Sequence, residues 1–530
     1  MSSPPGLTAA NAATAPGNSS GGNASMTSAR NPLLLLLLLA LANFMQVLDL
    51  TIANVSLPAI TGDLGAAPSQ GAWIVTSFAA ACAITIPLTG WLSDRFGQVR
   101  IFCAATVLFT LASFLCGIAW SLPSLIACRV LQGAAAGFMI PLSQALMLNN
   151  YPAEKRGMAL SIWTMTATVA PIVGPILGGW ITDNYHWRWI FFLNVPVGIF
   201  ASLALWALLK ERETPLLRRP LDRVGLALLV IWVGSLQVLL DKGNELDWFN
   251  SAFIVVLAVI AAFGFALFLA WELTGGHPIV DLSLFLQRNF RTGVLVLTVS
   301  FAVLLAMHVI LPLWVQTQLG YTAQWAGYVL APGGIMGVLL APLVGRQMRR
   351  IDPRFFASIA CLVFALHCFA RAQLDTGADF LSLALPQLLM GIATAMFFAP
   401  MISISLGGIE PLKVARASSL QNFVRQMSGS FGTALAVAFW DRREIMHRAQ
   451  LAEHLGSGSP AAAEHAARLE AAGMSPVQVL GHFESILTRE AYMLATNDFF
   501  WVCGWSLLAL LPLIWLARPP FSAGTVPAAE

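Results

Sequence analysis

The sequence predicts an all-α membrane protein with fourteen transmembrane helices, and its composition and its long apolar runs are the observations behind this prediction. Of its 530 residues, 57% are hydrophobic and only 10% are charged, whereas soluble domains carry about 25% charged residues. Mean hydropathy is +0.74. A spanning helix needs about 20 apolar residues, and about fourteen such runs lie between residues 31 and 517. Lipid must therefore cover most of the surface.

The first apolar run predicts an uncleaved helix. The 30 residues before it are rich in Ser, Gly and Pro, which is typical of a disordered tail. The run continues past a cleavage-like Ala-Leu-Ala at 40–42 to Leu57, so a signal peptide is not predicted. In order, the predicted helices span residues 33–57, 70–92, 99–118, 122–147, 158–182, 189–209, 224–241, 250–272, 293–316, 324–346, 355–372, 379–406, 416–440 and 494–517.

The connections divide the chain into units. Lys and Arg in the loops set orientation, and with the N-terminus inside roughly 19 of the 29 fall on the cytoplasmic side. Both termini are therefore predicted to be cytoplasmic. The predicted units are a tail at 1–30, a six-helix half at 31–209, a basic linker at 210–223, two extra helices with a connector at 224–292, a second six-helix half at 293–517 and a tail at 518–530.

Two further patterns support a duplicated design. GWLSDRFGQVR (90–100) follows the second helix of the first half, and PLVGRQMRRIDPR (342–354) occupies the matching place in the second. Glycine and basic residues at equivalent inner turns are expected of duplicated transporter halves. Residues 441–493 form the longest outer segment, and their partly helical periodicity predicts a surface helix pair.

Asp49 and Arg129 are ionisable residues that lie within apolar runs of the first half. A charge at membrane depth is costly unless it is paired, neutralised or facing water. Arg129 lies about 10 Å below the outer end of its helix, at 1.5 Å per residue, and Asp49 lies at a similar depth. We predict that they form a proton-sensitive pair; a static structural ion pair is the alternative.

The inner turn 90–100 contains Gly90, Asp94, Arg95, Gly97 and Arg100. Its glycines permit a tight turn, and Asp94 can meet a helix N-terminus or a basic partner. We predict that this turn is a latch that breaks when the halves move. A solvated loop that only obeys the positive-inside rule is the alternative.

Two other helices carry unusual clusters. APIVGPILGGW (170–180) holds Gly174, Pro175, Gly178 and Gly179, which predict close helix packing and a bend. In the second half, SSLQNFVRQMSGSFGTALA (418–436) places the polar side chains of Asn422, Arg425 and Gln426 near mid-membrane. We predict that the substrate cavity is lined by Asn54, Gln132, Asn422, Arg425 and Gln426.

Together, five segments resemble motifs of the major facilitator superfamily, specifically its fourteen-helix drug–proton antiporters of the EmrB/QacA type. The segments are LDLTIANVSLP (48–58), GWLSDRFGQVR (90–100), RVLQGAAAGFMIP (129–141), APIVGPILGGW (170–180) and HWRWIFFLNVPVG (186–198). The resemblance covers residues 33–517. Gln98 and Val99 depart from the basic pair usual before Arg100, and Ala53 and Ser56 are milder departures. The residues that match family positions are Asp49, Thr51, Asn54, Pro58, Gly90, Asp94, Arg95, Gly97, Arg100, Arg129, Gln132, Gly133, Gly174, Pro175, Gly178 and Gly179.

The resemblance implies a major facilitator fold and export of lipophilic compounds across the cytoplasmic membrane in exchange for protons. The proton gradient would be the energy source, with no cofactor. Few acids and several arginines in the predicted cavity favour neutral or anionic lipophilic substrates. If the host has an outer membrane, a periplasmic adaptor protein is a possible partner of the outer segment.

Other classes are disfavoured. The net charge of +3 is too small to predict nucleic-acid binding, and all seven cysteines lie in apolar runs, so no disulfide or metal site is predicted. An enzyme would need clustered His, Asp or Cys, so we predict no catalytic residue. An exporter of a dedicated metabolite, lipid or siderophore stays an alternative, as does an importer, which the glycine cluster of the fifth helix disfavours.

Overall fold

The computed structural model of the chain describes residues 32–66, 68–216, 220, 222–275, 278–454, 460–519 and 521. The predicted tail at 1–30, nearly all of the tail at 518–530 and part of the linker lie outside these ranges. Within them, all regular structure is helical. The predicted all-α class is confirmed.

Nineteen α-helices occur in the described ranges, and four single 3₁₀ turns lie between them. The 3₁₀ turns are Ala153–Lys155, Trp248–Asn250, Leu282–Leu286 and Pro411–Lys413. The helices are α1 (Pro32–Asp63), α2 (Pro68–Thr85), α3 (Leu88–Phe96), α4 (Gln98–Gly117), α5 (Leu122–Asn150), α6 (Arg156–Asn184), α7 (Trp189–Phe192), α8 (Asn194–Leu209), α9 (Arg223–Lys242), α10 (Ala252–Thr274), α11 (Arg288–Thr317), α12 (Ala323–Gln347), α13 (Pro353–Arg371), α14 (Phe380–Ala384), α15 (Pro386–Ser405), α16 (Val414–His454), α17 (Pro460–Ala471), α18 (Pro476–Leu508) and α19 (Leu511–Ile514).

The number of spans differs from the predicted fourteen. Twelve helices of the described chain are long and apolar enough to cross a membrane, and α2 with α3, bent by 57°, makes thirteen if counted as one span. The remaining predicted span belongs to α16, which is helical but carries polar side chains such as Asn422, Arg425 and Gln426 at that level. A count of fourteen therefore stays a prediction.

The two halves repeat the same packing. In the first half α1 packs on α6, α2 on α5, and α4 on both α5 and α8. In the second half α11 packs on α16, α12 on α15, and α13 on both α15 and α18. Six helices of the first half thus have equivalents in the second, in agreement with the sequence similarity between 90–100 and 342–354. Helices α1, α2, α4, α5, α6 and α8 correspond to α11, α12, α13, α15, α16 and α18.

The two halves contact each other on two sides of the bundle, and these contacts differ between the two ends of the bundle. The linker end contains residues 210–216, 220 and 222, and the far end contains residues 441–454 and 460–475. Helix α6 packs along α12, whereas α3 contacts α16 only at the linker end. On that second side α9 packs against both α2 and α16: Trp232 of α9 meets Phe423 of α16 edge-on, with ring centroids 5.9 Å apart. The inserted helix therefore contacts both halves.

The outer segment 441–493 is not a separate helix pair. Helix α16 continues without a break to His454, and α18 already begins at Pro476, so in the described part of this segment α17 lies between two extended helices. Residues 441–454 contain neither Gly nor Pro, and Arg448 pairs with Glu444 one turn earlier and with Glu484 of α18. Helix propensity and these charge pairs explain why the helix continues beyond the apolar run.

Candidate functional site

The core of the candidate site is an ion pair between α1 and α5. The structure brings Asp49 and Arg129 into contact, Nη1 of the arginine donating to the carboxylate, and neither side chain has exposed surface. Helix α1 extends to Asp63 rather than to residue 57, so Asp49 lies near its middle. Pro58 does not end the helix, which explains the shift.

Arg129 is held on several sides. Its Nε donates to the carbonyl of Ile74 at 3.1 Å, and its Nη1 also donates to Oε1 of Gln132 at 2.8 Å. The guanidinium lies 4.2 Å from the ring centroid of Phe78, a distance at which a desolvated cation–π contact contributes roughly 2 kcal/mol. Nη2 has no hydrogen-bond partner in the described part of the chain.

The Asp49 carboxylate accepts two further hydrogen bonds, both at Oδ1. Nε2 of Gln132 donates at 2.9 Å, and Nδ2 of Asn194, the first residue of α8, donates at 2.8 Å. Asn194 in turn donates to Ser113 of α4 at 3.1 Å. A buried carboxylate needs this compensation, because its water has been removed. Asn194 had no role in the sequence analysis, although an amide within the apolar run FFLNVPVG was a visible signal.

We predicted that Gln132 lines the substrate cavity, and that assignment stays a prediction. Its side chain is fully buried and bonded to Asp49 and Arg129. It lies three residues after Arg129 on the same helix, which brings both side chains to one face of α5. Gln132 therefore belongs to the ion-pair site. Asn54, by contrast, is exposed.

The glycine cluster of α6 lies directly against the helix that carries Asp49. A Cβ on Gly174 would overlap Thr51, and one on Gly178 would lie 2.8 Å from Ile52. Gly179 has more room, with Val55 at 3.8 Å. Close approach of α6 and α1 therefore requires glycine at 174 and 178. Pro175 lies inside the continuous helix between them.

A second face of α6 meets the other half. Here the small residues belong to α12: Gly327 receives Ile176 and Gly334 receives Ile172. A Cβ on Gly327 would lie 3.0 Å from Ile176, and one on Gly334 would lie 2.5 Å from Ile172, so side chains at these positions would crowd the isoleucines. Helix α6 is thus packed between α1, next to Asp49, and α12 of the second half.

At the linker end, the inner turn contacts the start of α16. Arg416 Nη2 donates to the Asp94 carboxylate, and both side chains are mostly buried. A Cβ on Gly90 would lie 2.8 Å from Cγ of Arg416. The predicted basic partner of Asp94 is therefore an arginine of the other half, 322 residues away. Ser419 adds a hydrogen bond to the carbonyl of Ile86 at 2.6 Å.

The rest of the inner turn is tied to the linker. Gly97 has a φ of +94°, which non-glycine residues rarely adopt. Glu213 accepts from the backbone N–H groups of Val99 and Arg100, both at 3.0 Å, and so caps the N-terminus of α4. Arg95 instead packs over Trp91 on the exposed side. The sequence analysis assigned no partner to the acidic residues of the linker.

Near mid-bundle, α16 carries the polar group predicted for the cavity. Nδ2 of Asn422 donates to Gln144 of α5 at 2.8 Å, bridging the halves, and Nη2 of Arg425 donates to Asn422 at 2.8 Å. Arg425 lies 4.6 Å from the ring centroid of Phe301, and no carboxylate of the described chain pairs with it. Gln426 is half-buried. Asn422 and Arg425 therefore do lie together.

A second fully buried arginine was not expected. Arg371, the last residue of α13, is 1% exposed and donates to the carbonyl of Leu383. His367, one turn earlier, lies 2.8 Å from the carbonyl of Pro386. These contacts join the end of α13 to α14 and α15 and are structural. The seven cysteines are free thiols, and the described residues contain no group of three His, Cys, Asp or Glu placed to hold a metal.

The chain is similar to known proteins along most of its length. The profile of the Major Facilitator Superfamily matches residues 39–433. The chain is 48% identical over 490 residues to the multidrug export protein EmrB of Haemophilus influenzae, covering 92% of this chain and 96% of that protein. It is 48% identical to EmrB of Escherichia coli K12, with 92% and 95% coverage. It is 45% identical to the fatty acid resistance protein FarB of Neisseria gonorrhoeae, with 92% and 96% coverage.

Solved structures agree on the fold. The proton:xylose symporter XylE matches with a TM-score of 0.61 at 14% identity, covering 93% of this chain and 97% of that one. The human organic anion transporter MFSD10 matches with a TM-score of 0.56 at 13% identity, covering 89% and 98%. At this identity the likeness concerns the fold alone.

Proposed function

The chain belongs to the Major Facilitator Superfamily, and we propose that it is a multidrug efflux transporter that exports lipophilic compounds across the cytoplasmic membrane in exchange for protons. Its similarity to two EmrB multidrug export proteins over 92% of its length supports export of several compounds. The observation that carries the proton part of the proposal is the fully buried pair of Asp49 and Arg129. We propose no cofactor and no catalytic residue.

Protonation of Asp49 is the proposed coupling step. In the present arrangement the carboxylate and the guanidinium compensate each other inside the first half. A proton on Asp49 would remove the negative charge and leave a buried, uncompensated cation, which is strongly destabilising. The arrangement of α1, α5 and α8 around the pair would then change, and release of the proton would restore it.

Helix α6 is the proposed connection between this pair and the movement of the halves. It packs through Gly174 and Gly178 on the residues that directly follow Asp49, and through Ile172 and Ile176 on α12. A shift of α1 would therefore change the packing at the α6–α12 interface. We propose that 31–209 and 293–517 move as units, and that the Asp94–Arg416 latch at the linker end opens and closes with them.

The charge at mid-bundle supports a substrate preference. Arg425 has no carboxylate partner in the described chain, so its charge can attract an anionic group of a substrate and disfavours dications. A relative named for fatty acid resistance, FarB, supports the same preference. Similarity to FarB also favours a second candidate function, export of one dedicated anionic lipid. The number of unrelated compounds exported separates the two candidates.

The membrane placement is also part of the proposal. We propose a multi-pass protein of the inner membrane with both termini and the linker end in the cytoplasm. The extended ends of α16 and α18 with α17 would then project from the outer face, where an adaptor protein could bind them. Cysteine labelling from either side, at introduced sites near 213 and near 470, tests the orientation.

The decisive experiment compares Asp49→Asn with Asp63→Asn, a carboxylate on the same helix whose partners lie at the far end. Each variant is expressed at matched level in a host without its own efflux pumps and challenged with unrelated lipophilic toxins. Proteoliposomes then report proton movement on addition of substrate. We expect Asp49→Asn to abolish resistance and proton movement and Asp63→Asn to retain both. Unchanged proton coupling in Asp49→Asn would refute the proposed role.

A further inference from the structure

A cavity of about 630 Å³ opens at the linker end, between the two halves and away from Asp49. Its first-half wall consists of the end of α5 and the start of α6, including Leu148, Arg156 and Leu160. Its second-half wall consists of the α12–α13 connection, the end of α15, Pro519 and Phe521. The volume is in the range of small-molecule sites. None of the residues proposed for transport lines it.

The charged residues that line the cavity have a net positive charge, because Arg156, Arg349 and Arg350 outnumber Glu154 and Asp352. Arg349 and Arg350 are exposed at its edge, and no carboxylate of the described chain pairs with either. Asp352 lines the same edge, but its carboxylate is engaged by Arg354 at 2.6 Å. Although burial raises the pKa of Asp352, hydrogen bonds from Arg354 lower it further, so the net pKa lies below its ordinary value. Asp352 therefore stays ionised and already neutralised.

The floor of the cavity is apolar. Leu148, Leu160, Ile402 and Leu406 are buried side chains contributed by both halves. Phe521 is fixed over the second half, because its carbonyl accepts from Ser403 at 2.9 Å. An apolar floor below a cationic rim matches a molecule with an anionic group at one end and an aliphatic or aromatic body at the other.

We propose that this cavity binds an amphiphilic organic anion, a single carboxylate or phosphate group attached to an apolar body. Because both halves form its walls, the bound anion would stabilise the conformation in which Asp94 contacts Arg416. Two sources share this chemistry: an acidic lipid of the adjacent leaflet and a free anion from the solution. The inference is independent of the proposed transport path, since binding requires no proton coupling.

The test measures binding of radiolabelled decanoate to the full-length protein in phosphatidylcholine nanodiscs. Unlabelled decanol supplies the same tail without charge, and inorganic phosphate supplies an anion without a tail. Arg349→Gln and Arg350→Gln remove one rim charge each. Arg346→Gln is the matched control, an exposed arginine on α12 that does not line the cavity. Arg425→Gln reports any decanoate bound in the transport path.

We expect saturable binding that decanol and phosphate do not displace, with Kd raised about fivefold to tenfold in each rim variant, the usual effect of losing one charged contact. Arg346→Gln should bind as the wild type does. Arg425→Gln should retain the component of decanoate binding that the rim variants weaken, and a component lost only in Arg425→Gln belongs to the transport path. Displacement of decanoate by phosphatidylglycerol in the nanodisc identifies a lipid as the occupant, and no displacement identifies a free anion. Equal binding by wild type and both rim variants, or loss only in Arg425→Gln, overturns the proposal.

Discussion

Arg129 and Arg425 lie deep in the same bundle, one in each half, and their surroundings differ in one essential respect. Arg129 is fully buried against a carboxylate, the Gln132 amide, a backbone carbonyl and an aromatic ring. Arg425 is half-buried, with an amide and an aromatic ring but without a carboxylate partner in the described chain. The helices are not equivalent either, since α5 corresponds to α15 and α16 corresponds to α6.

This difference separates two tasks that a coupled transporter must perform. A cation next to a carboxylate forms a site whose net charge changes when one proton binds. A cation without a carboxylate keeps a fixed charge and can meet a substrate. The duplicated halves therefore share their packing but not their chemistry, and each of the following variants breaks or sharpens that contrast.

Removing the first arginine should have the largest effect on stability. Arg129→Gln leaves Asp49 buried without its cation, and breaking one partner of a buried pair costs about 3–5 kcal/mol. Arg425→Gln leaves no carboxylate unpaired and should unfold at nearly the wild-type temperature. Thermal unfolding of the purified variants measures both. The double variant Asp49→Asn/Arg129→Gln should recover most of the stability while proton coupling stays absent; a double variant as unstable as Arg129→Gln would contradict this account.

Substituting a glycine of α6 should have the next largest effect, because α6 lies between the ion pair and the second half. Gly178→Ala places a Cβ 2.8 Å from Ile52, and such overpacking costs about 1–3 kcal/mol. Gly179→Ala meets only Val55 at 3.8 Å and should be tolerated. Initial transport rates in proteoliposomes and unfolding temperatures test the pair. Equal effects at both positions would show that α6 does not pack on α1 as described.

The second arginine should affect selectivity rather than stability. In Arg425→Gln we expect transport of anionic lipophilic compounds to fall about tenfold, equivalent to 1.4 kcal/mol of lost attraction. Neutral lipophilic compounds should stay within about twofold and serve as the internal control. Competition between substrates in everted vesicles measures this. A parallel loss for both compound classes would mean that Arg425 supports the structure and does not select the substrate.

The latch at the linker end should have the smallest effect, since it is a single, partly exposed ion pair. Asp94→Asn should slow transport by about threefold to fivefold, because such pairs contribute about 1 kcal/mol. Glu211→Gln, an exposed acid at the same end, is the control. Exchange of the charges in Asp94→Arg/Arg416→Asp should restore part of the transport rate. A wild-type transport rate in both Asp94→Asn and the exchanged variant would exclude a gating role for this ion pair.

Particular residues show how far the sequence could be interpreted. Asp49 and Arg129 were recognisable because a charge within an apolar run is rare and demands a partner. Asn194 and Gln132 were harder, since a polar uncharged residue in such a run can bond within its own helix. Arg416 could not be assigned to Asp94 across 322 residues, because any basic residue at the linker end satisfied the same rule of orientation.

By itself, the sequence determined the membrane class, the helical structure and the positions of the residues that carry charge into the bundle. These follow from the length of apolar runs, since lipid requires every spanning segment to satisfy its own backbone. The tertiary structure alone decided which groups meet: Asn194 at Asp49, Arg416 at Asp94, the isoleucines of α6 at the glycines of α12, and α9 against both halves. Such contacts depend on how distant helices pack, and side-chain spacing along one helix carries no information about its partner.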